Sequence, residues 1–167
     1  MATVKIGLDP RDAVPAASNY PTLDVVTGTN FPVLGLDFDA ATEETCYFRV
    51  RLPSYGSGNL TLSVDWYADS ASSGDVIWGA AIAAITPNTD SQDVETKAFA
   101  TAQTATDTHL GTVGQRLHTV DITISNLDSV AADDEVWIKF YRDADAAGDT
   151  LTGDATLIGL QLSYSDT

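Results

Sequence analysis

The stretches TCYFRVRLP, residues 45–53, and NLTLSVDWY, residues 59–67, decide the fold. In the first, Cys46, Phe48, Val50 and Leu52 alternate with Tyr47, Arg49 and Arg51; in the second, Leu60, Leu62, Val64 and Trp66 alternate with Thr61, Ser63, Asp65 and Tyr67. A period of two puts each set on its own face of an extended chain, so both runs read as β-strands with one face buried. Cys46 falls in the apolar set, which marks it as a packed core thiol rather than a reactive one. YGSGN, residues 55–59, has hairpin length and turn chemistry, and it predicts that the two runs pair antiparallel in one sheet.

Similar runs lie on both sides. PVLGLDF (32–38) reads as a short strand, and DVIWGAAIAAI (75–85) is apolar on both faces, as in a strand covered on both sides or pressed against another subunit. Its β-branched residues Val76, Ile77, Ile82 and Ile85 and its bounds at Gly74 and Pro87 favour strand over helix. DVETKAFATAQ (93–103), QRLHTVDITIS (115–125), DEVWIKFYR (134–142) and ATLIGLQLSYS (155–165) complete the pattern. About eight strands and no convincing amphipathic helix predict an all-β fold, an antiparallel β-sandwich, with an eight-stranded jelly roll favoured over a seven-stranded immunoglobulin-like one. The expected division is an extended N-terminal arm over residues 1–30, marked by Pro10, Pro15 and Pro21, and a sandwich over 31–167.

Eight basic residues against 24 acidic ones give a net charge of -16 over 167 residues, which repels a phosphate backbone and argues against nucleic acid as a partner. Most of the acids are Asp, a turn residue, so the charge belongs to loops. A single cysteine makes no internal disulfide. No stretch approaches the roughly 18 apolar residues of a membrane span, and the start lacks the features of a signal peptide, so the expectation is a soluble protein made in a cytoplasm.

Catalysis has little to work with. Of the two histidines, His118 alternates with Val120 and Ile122 as a strand residue at the core edge, and His109 lies in the loop TDTHLGTVG. No serine sits in a G-x-S-x-G elbow, and two histidines with one cysteine show no zinc-ligand spacing. No cofactor is implied. The one ligand-like spacing is RDADAAGDTLTGDA (142–155), where Asp143, Asp145, Gly148, Asp149 and Asp154 fall at positions 1, 3, 6, 7 and 12 of a calcium-loop count. Position 5 is Ala147, Asp154 lacks the reach of a bidentate Glu, and an inter-strand loop whose aspartates cap their own backbone amides explains the same letters. Trp66, Trp78 and Trp137 read as core or inter-sheet residues, whereas Tyr67, Tyr141 and Tyr164 are candidates for a sugar-binding platform.

Trp66 followed by SSGDVIW (72–78) and YRDADAAGDTLTGDATLIGLQLSY (141–164) resembles a family of small β-sandwich structural proteins of tailed bacteriophages, over about residues 45–164. The resemblance implies a virion component without enzymatic activity, made in the bacterial host cytoplasm. It also implies self-association, with trimers common, and attachment to the major capsid protein or other virion proteins, with no membrane partner. A capsid decoration role is favoured, docked through the arm by Val4, Ile6 and Leu8 with Pro10, Val14, Pro15 and Tyr20 beside them. The alternative is a receptor-binding, carbohydrate-binding module of a tail or head fibre.

Overall fold

The computed structural model describes residues 2–166. It is an antiparallel β-sandwich of eleven strands: β1 (Thr3–Leu8), β2 (Val14–Pro15), β3 (Thr22–Thr27), β4 (Pro32–Phe38), β5 (Glu44–Arg51), β6 (Tyr55–Ala68), β7 (Asp75–Ile85), β8 (Gln103–Thr108), β9 (His118–Ile124), β10 (Glu135–Arg142) and β11 (Ala155–Asp166). One sheet runs β3-β4-β11-β6-β9, with β1 also paired to β11; the other runs β2-β5-β10-β7-β8. We call them the first and second sheet. Among the described residues no helix is long and apolar enough to cross a membrane.

The inward rows are those the alternation predicts: Phe48, Leu60, Leu62, Val64, Trp66, Ile138 and Phe140 are all buried. An aromatic cluster joins the sheets, with Trp78 stacked on Phe140 at 5.2 Å and Phe38 edge-on to both rings at 5.2 and 5.7 Å. Burial pushes the Cys46 thiol up to about 12, so the thiolate that would make it a nucleophile is not formed near neutral pH.

Two pairings differ from expectation. β5 and β6 do not form a hairpin; they lie in opposite sheets, joined by Leu52–Ser54. Leu52 is buried and exchanges backbone bonds with the 133–134 turn, its N–H donating to Asp134 O and its carbonyl accepting from Asp133 N–H. Ser54 then takes a positive φ of 58°, and the chain crosses the core. Gly58, which reads as a turn residue, instead sits inside β6 at φ 85°, beside the irregular register where Ser57 faces Ser165. A strand with one buried face looks the same in sequence whether its neighbour lies beside it or across the core.

DVETKAFATAQ also departs from the strand its sequence predicts. Residues 93–102 are not a strand: they cross the outside of the second sheet, and β8 begins only at Gln103. Ala100 N–H donates to Ile82 O, and Ala81 and Ala83 of β7 are buried beneath the crossing. That accounts for the two-sided apolarity of β7.

The N-terminal segment is not set apart from the sandwich at residue 30. β1 pairs with β11 from Thr3↔Ser165 to Leu8↔Leu160, β2 pairs with β5, and β3 with β4. Leu8 and Pro10 are buried, and Val4 and Ile6 pack against the core. Prolines are compatible with this because they sit in the 3-10 turn Pro10–Asp12, in the two-residue edge strand β2, and just before β3.

One buried ion pair fixes the connection between β10 and β11. Arg142 donates from Nε and Nη2 to Asp149 at 3.0 and 2.8 Å, and from its remaining guanidinium N–H groups to the carbonyls of Phe38, Leu151 and Gly153. The two side chains are 0% and 1% exposed. Asp149 also accepts from Ile77 N–H at 3.0 Å. Asp149→Ala strips the charge partner from a buried guanidinium and is expected to cost about 3–5 kcal/mol, read as a lower urea midpoint in equilibrium unfolding.

Candidate functional site

The outward face of the second sheet carries the half-exposed aromatics. On β5 the outward residues are Tyr47, Arg49 and Arg51, and on β10 they are Glu135, Trp137, Lys139 and Tyr141; Tyr47 stands opposite Lys139, and Arg49 opposite Trp137. Along the middle of β7 the outward side chains are small, with Ala83 opposite Trp137, Ala81 opposite Lys139 and Gly79 opposite Tyr141, and Ile85 follows opposite Glu135. A Cβ at Gly79 would stand 2.1 Å from Tyr141 Cζ, so glycine lets that ring lie flat on the sheet. Lys139 Nζ sits over the same ring at 4.8 Å from its centroid.

The crossing segment builds the other wall. Asp93 starts it by accepting from Glu95 N–H at 2.9 Å, and Phe99 stacks on Tyr47 at 5.8 Å. Lys97 pairs with Asp128 at 2.9 Å, whose other contact, from Ala84 N–H at 2.8 Å, ties the segment to β7. Together Tyr47, Ala83, Val94, Glu95, Lys97, Phe99 and Trp137 enclose a trough of about 190 Å³. Three aromatic rings with an ammonium and a carboxylate at the rim offer flat apolar contact and directional polar contact to a ligand that has both.

Of the aromatics weighed from the sequence, Trp66 and Trp78 are in the core, and Tyr67, Tyr141 and Tyr164 are buried, Tyr164 donating its hydroxyl to Pro53 O at 2.7 Å. Only Trp137 reaches the trough. Tyr47 was legible as an outward residue from its place between Cys46 and Phe48; Phe99 was not, because nothing local says that its segment folds back over β5.

The four aspartates of the calcium-loop spacing do not converge. Asp149 is held by Arg142, and Asp154 accepts from Ala40 N–H at 3.0 Å, so both serve backbone and ion-pair roles in the protein. Among the described residues no group of three or more His, Cys, Asp or Glu is placed to share a metal ion. The expected partner-binding residues also separate: Val4, Ile6, Leu8 and Pro10 face the protein's own body, whereas Val14, Pro15 and Tyr20 are exposed. Pro10, Pro15 and Tyr20 line a groove of about 450 Å³ with Arg11, Leu23, Leu36 and Cys46. On the first sheet Val26, Phe31, Val33, Tyr67, Leu117 and Ile158 line an apolar depression of about 360 Å³.

The two histidines meet at the other side of the sandwich. His118 stacks on Trp66 at 4.5 Å with His109 at 4.8 Å, and Asp107 Oδ2 accepts from Trp66 Nε1 at 2.9 Å. His109 bonds the loop backbone with both ring nitrogens, Nε2 to Gly114 O and Nδ1 from Gly111 N–H. Among the described residues neither ring is hydrogen-bonded to a serine, threonine or cysteine side chain. On the first sheet's outer face, burial raises the Asp37 carboxyl, opposed by a hydrogen bond from Thr156 and reinforced by Asp154, Asp69 and Asp24.

No family model and no curated protein matches the sequence. Solved structures share the fold. The family 11 carbohydrate-binding module of the cellulosomal cellulase Lic26A-Cel5E of Clostridium thermocellum superposes with a TM-score of 0.53 at 11% identity, over 97% of this chain and 95% of that one. A family 11 module from Clostridium thermocellum in complex with a β-1,3-1,4-mixed-linked tetrasaccharide gives 0.50 at 11% identity, over 95% and 94%. A family 35 module from the same organism gives 0.50 at 12% identity, over 95% and 97%. At these identities the likeness is one of fold: the chain is a jelly-roll β-sandwich.

Burial lowers the His118 pKa, Asp107 opposing and His109 and Arg116 reinforcing that shift. The folded ring therefore stays neutral where the unfolded one takes a proton, and stability falls as pH drops through the ordinary imidazole range. Asp37 and Glu44, raised chiefly by burial, bend the curve the other way at lower pH. His118→Phe, which keeps the stack on Trp66, is expected to flatten the loss of melting temperature between about pH 7.5 and 5.5; an unchanged slope would assign the loss elsewhere.

Proposed function

We propose that the protein is a non-catalytic carbohydrate-binding β-sandwich module whose ligand lies in the trough of Tyr47, Phe99 and Trp137. The observation that carries this is the trough itself: Tyr47 and Trp137 on the second sheet and Phe99 on the segment that crosses it, all half-exposed, in a chain whose other tryptophans are wholly buried. A sugar ring has one apolar C–H face and a girdle of hydroxyls. The rings accept the first, while Glu95 and Lys97 accept from and donate to the second. Because β10 is paired on both sides, the backbone that carries Trp137 needs no ordering on binding, which limits the entropic cost. The fold shared with carbohydrate-binding modules supports the reading.

Affinity electrophoresis against soluble mixed-linkage β-glucan, xylan, mannan and alginate, followed by calorimetry on any that retards the protein, tests it. Trp137→Ala is expected to weaken binding at least about tenfold, a loss of about 1.4 kcal/mol. Phe31→Ala, on the other sheet, leaves it unchanged. Absence of retardation in every gel, or full binding by Trp137→Ala, would defeat the reading.

A second reading, capsid decoration, rests on the exposed Val14 and Tyr20, with Tyr20 lining the 450 Å³ groove. In it the groove, not a free arm, receives a virion protein. Val14→Asp with Tyr20→Asp is then expected to release the protein from particles in a co-sedimentation assay while leaving glycan binding intact.

A further inference from the structure

β3 is an edge strand with nothing to shield it. Among the described residues it pairs only with β4, and all six of its residues are exposed, Leu23 at 51% and Val25 at 53%. Edge strands normally carry lysines, prolines, bulges or a covering element; β3 holds one charge, Asp24, and three large apolar side chains. The row Leu23–Val25 lies on the core side, opposite Leu36 and Leu34, but the second sheet ends here in the two-residue β2 and leaves it uncovered. Val26 lies on the outer face and continues the apolar depression with Phe31 and Val33.

The backbone defines what can cover this edge. Asp24 Oδ1 accepts from Val25 N–H at 2.7 Å, so that N–H points away from β4. Backbone groups alternate in direction along a strand, so Leu23 and Thr27 point outward with it. From this edge we infer that β3 pairs antiparallel with β3 of a second copy about a two-fold axis through Val25, joining the two first sheets into one continuous sheet. Val25 then stands opposite Val25 of the second copy, and Leu23 opposite Thr27, all hydrogen-bonded positions. Asp24 falls opposite Val26. The neighbouring same-face register, centred on residue 24, sets Asp24 against its own copy and is disfavoured by like charge. Of these two registers, the one centred on Val25 keeps the two Asp24 side chains from standing directly opposite each other. Asp24 is displaced from Val25 N–H on pairing, which guards the lone edge without blocking the pair. The contact is isologous and closes at two copies, unlike the trimer that the phage resemblance implies.

The net charge of -16 on each copy opposes association, so the dimer is expected to strengthen with salt. Sedimentation velocity of the full chain from about 10 to about 500 µM, in about 0.15 and about 0.5 M NaCl, is expected to show a monomer–dimer equilibrium shifted to dimer at the higher salt. Val25→Pro removes the central N–H, and Val25→Asp keeps it but sets like charges on the axis; each is expected to weaken dimerisation at least about tenfold with an unchanged far-ultraviolet spectrum. Val25→Cys is expected to oxidise to a covalent dimer faster than Val94→Cys, because Cα atoms of a hydrogen-bonded pair stand about 5.5 Å apart, within disulfide span. A monomer at every concentration and salt, or a dimer indifferent to both substitutions at Val25, overturns the inference.

Discussion

The ion pair between Arg142 and Asp149 is the constraint on which the sandwich closes. A guanidinium at the end of β10 is buried between the sheets, and each of its N–H groups has an acceptor: two bonds to Asp149 and three to the carbonyls of Phe38, Leu151 and Gly153. Those acceptors belong to the end of β4 and to the loop that enters β11, while Asp149 also holds Ile77 of β7. One side chain therefore sets where the first sheet's central strand starts relative to the second sheet. Ala155↔Ala68 and Ala155↔Phe38 begin the register that follows. A buried charge is costly unless fully paired, and complete pairing makes this arrangement specific: a shifted loop would leave donors without partners in a low-dielectric interior.

The same loop uses two of the aspartates of its ligand-like spacing, Asp149 and Asp154, for contacts within the protein. Asp149 is directed at Arg142 and Ile77 N–H, and Asp154 at Ala40 N–H. The oxygens of these two face separate donors rather than a common centre. The proposed site instead arises on the far face of the second sheet, where the crossing segment at residues 93–102 lies over alanines of β7 and leaves Trp137 and Tyr47 half-covered. Small residues on β7 and large ones on β5 and β10 give that face its relief.

The edges follow from the lengths of the outer strands. β2 is two residues long, and beyond Pro15 its segment keeps two backbone bonds to β5, Ala16 N–H to Thr45 O and Thr45 N–H to Asn19 O. The second sheet stops short of β3, whose core-side row is left half-exposed, with Leu23 opening into the groove beside Pro15 and Tyr20. The segment that looked like a free arm is consumed in three short strands, and its binding potential moves from an extended chain to an unpaired strand edge and the groove beside it.

By itself the sequence determined the fold class, the inward rows and the state of Cys46, because burial of alternate side chains is a local, period-two property. It also set the outward placement of Tyr47 and Arg49. Only the tertiary structure decided that β5 and β6 face each other across the core, that residues 93–102 roof β7, and that residues 3–27 belong to the sheets. Each depends on which strand sits next to which, and alternation is blind to that: a strand buries the same side chains against a neighbour's face whichever partner its edges take. The aromatic trough is of the same kind, since Phe99 and Trp137 are remote in sequence and meet only when the crossing is fixed by Lys97, Asp128 and the bond from Ala100 to Ile82.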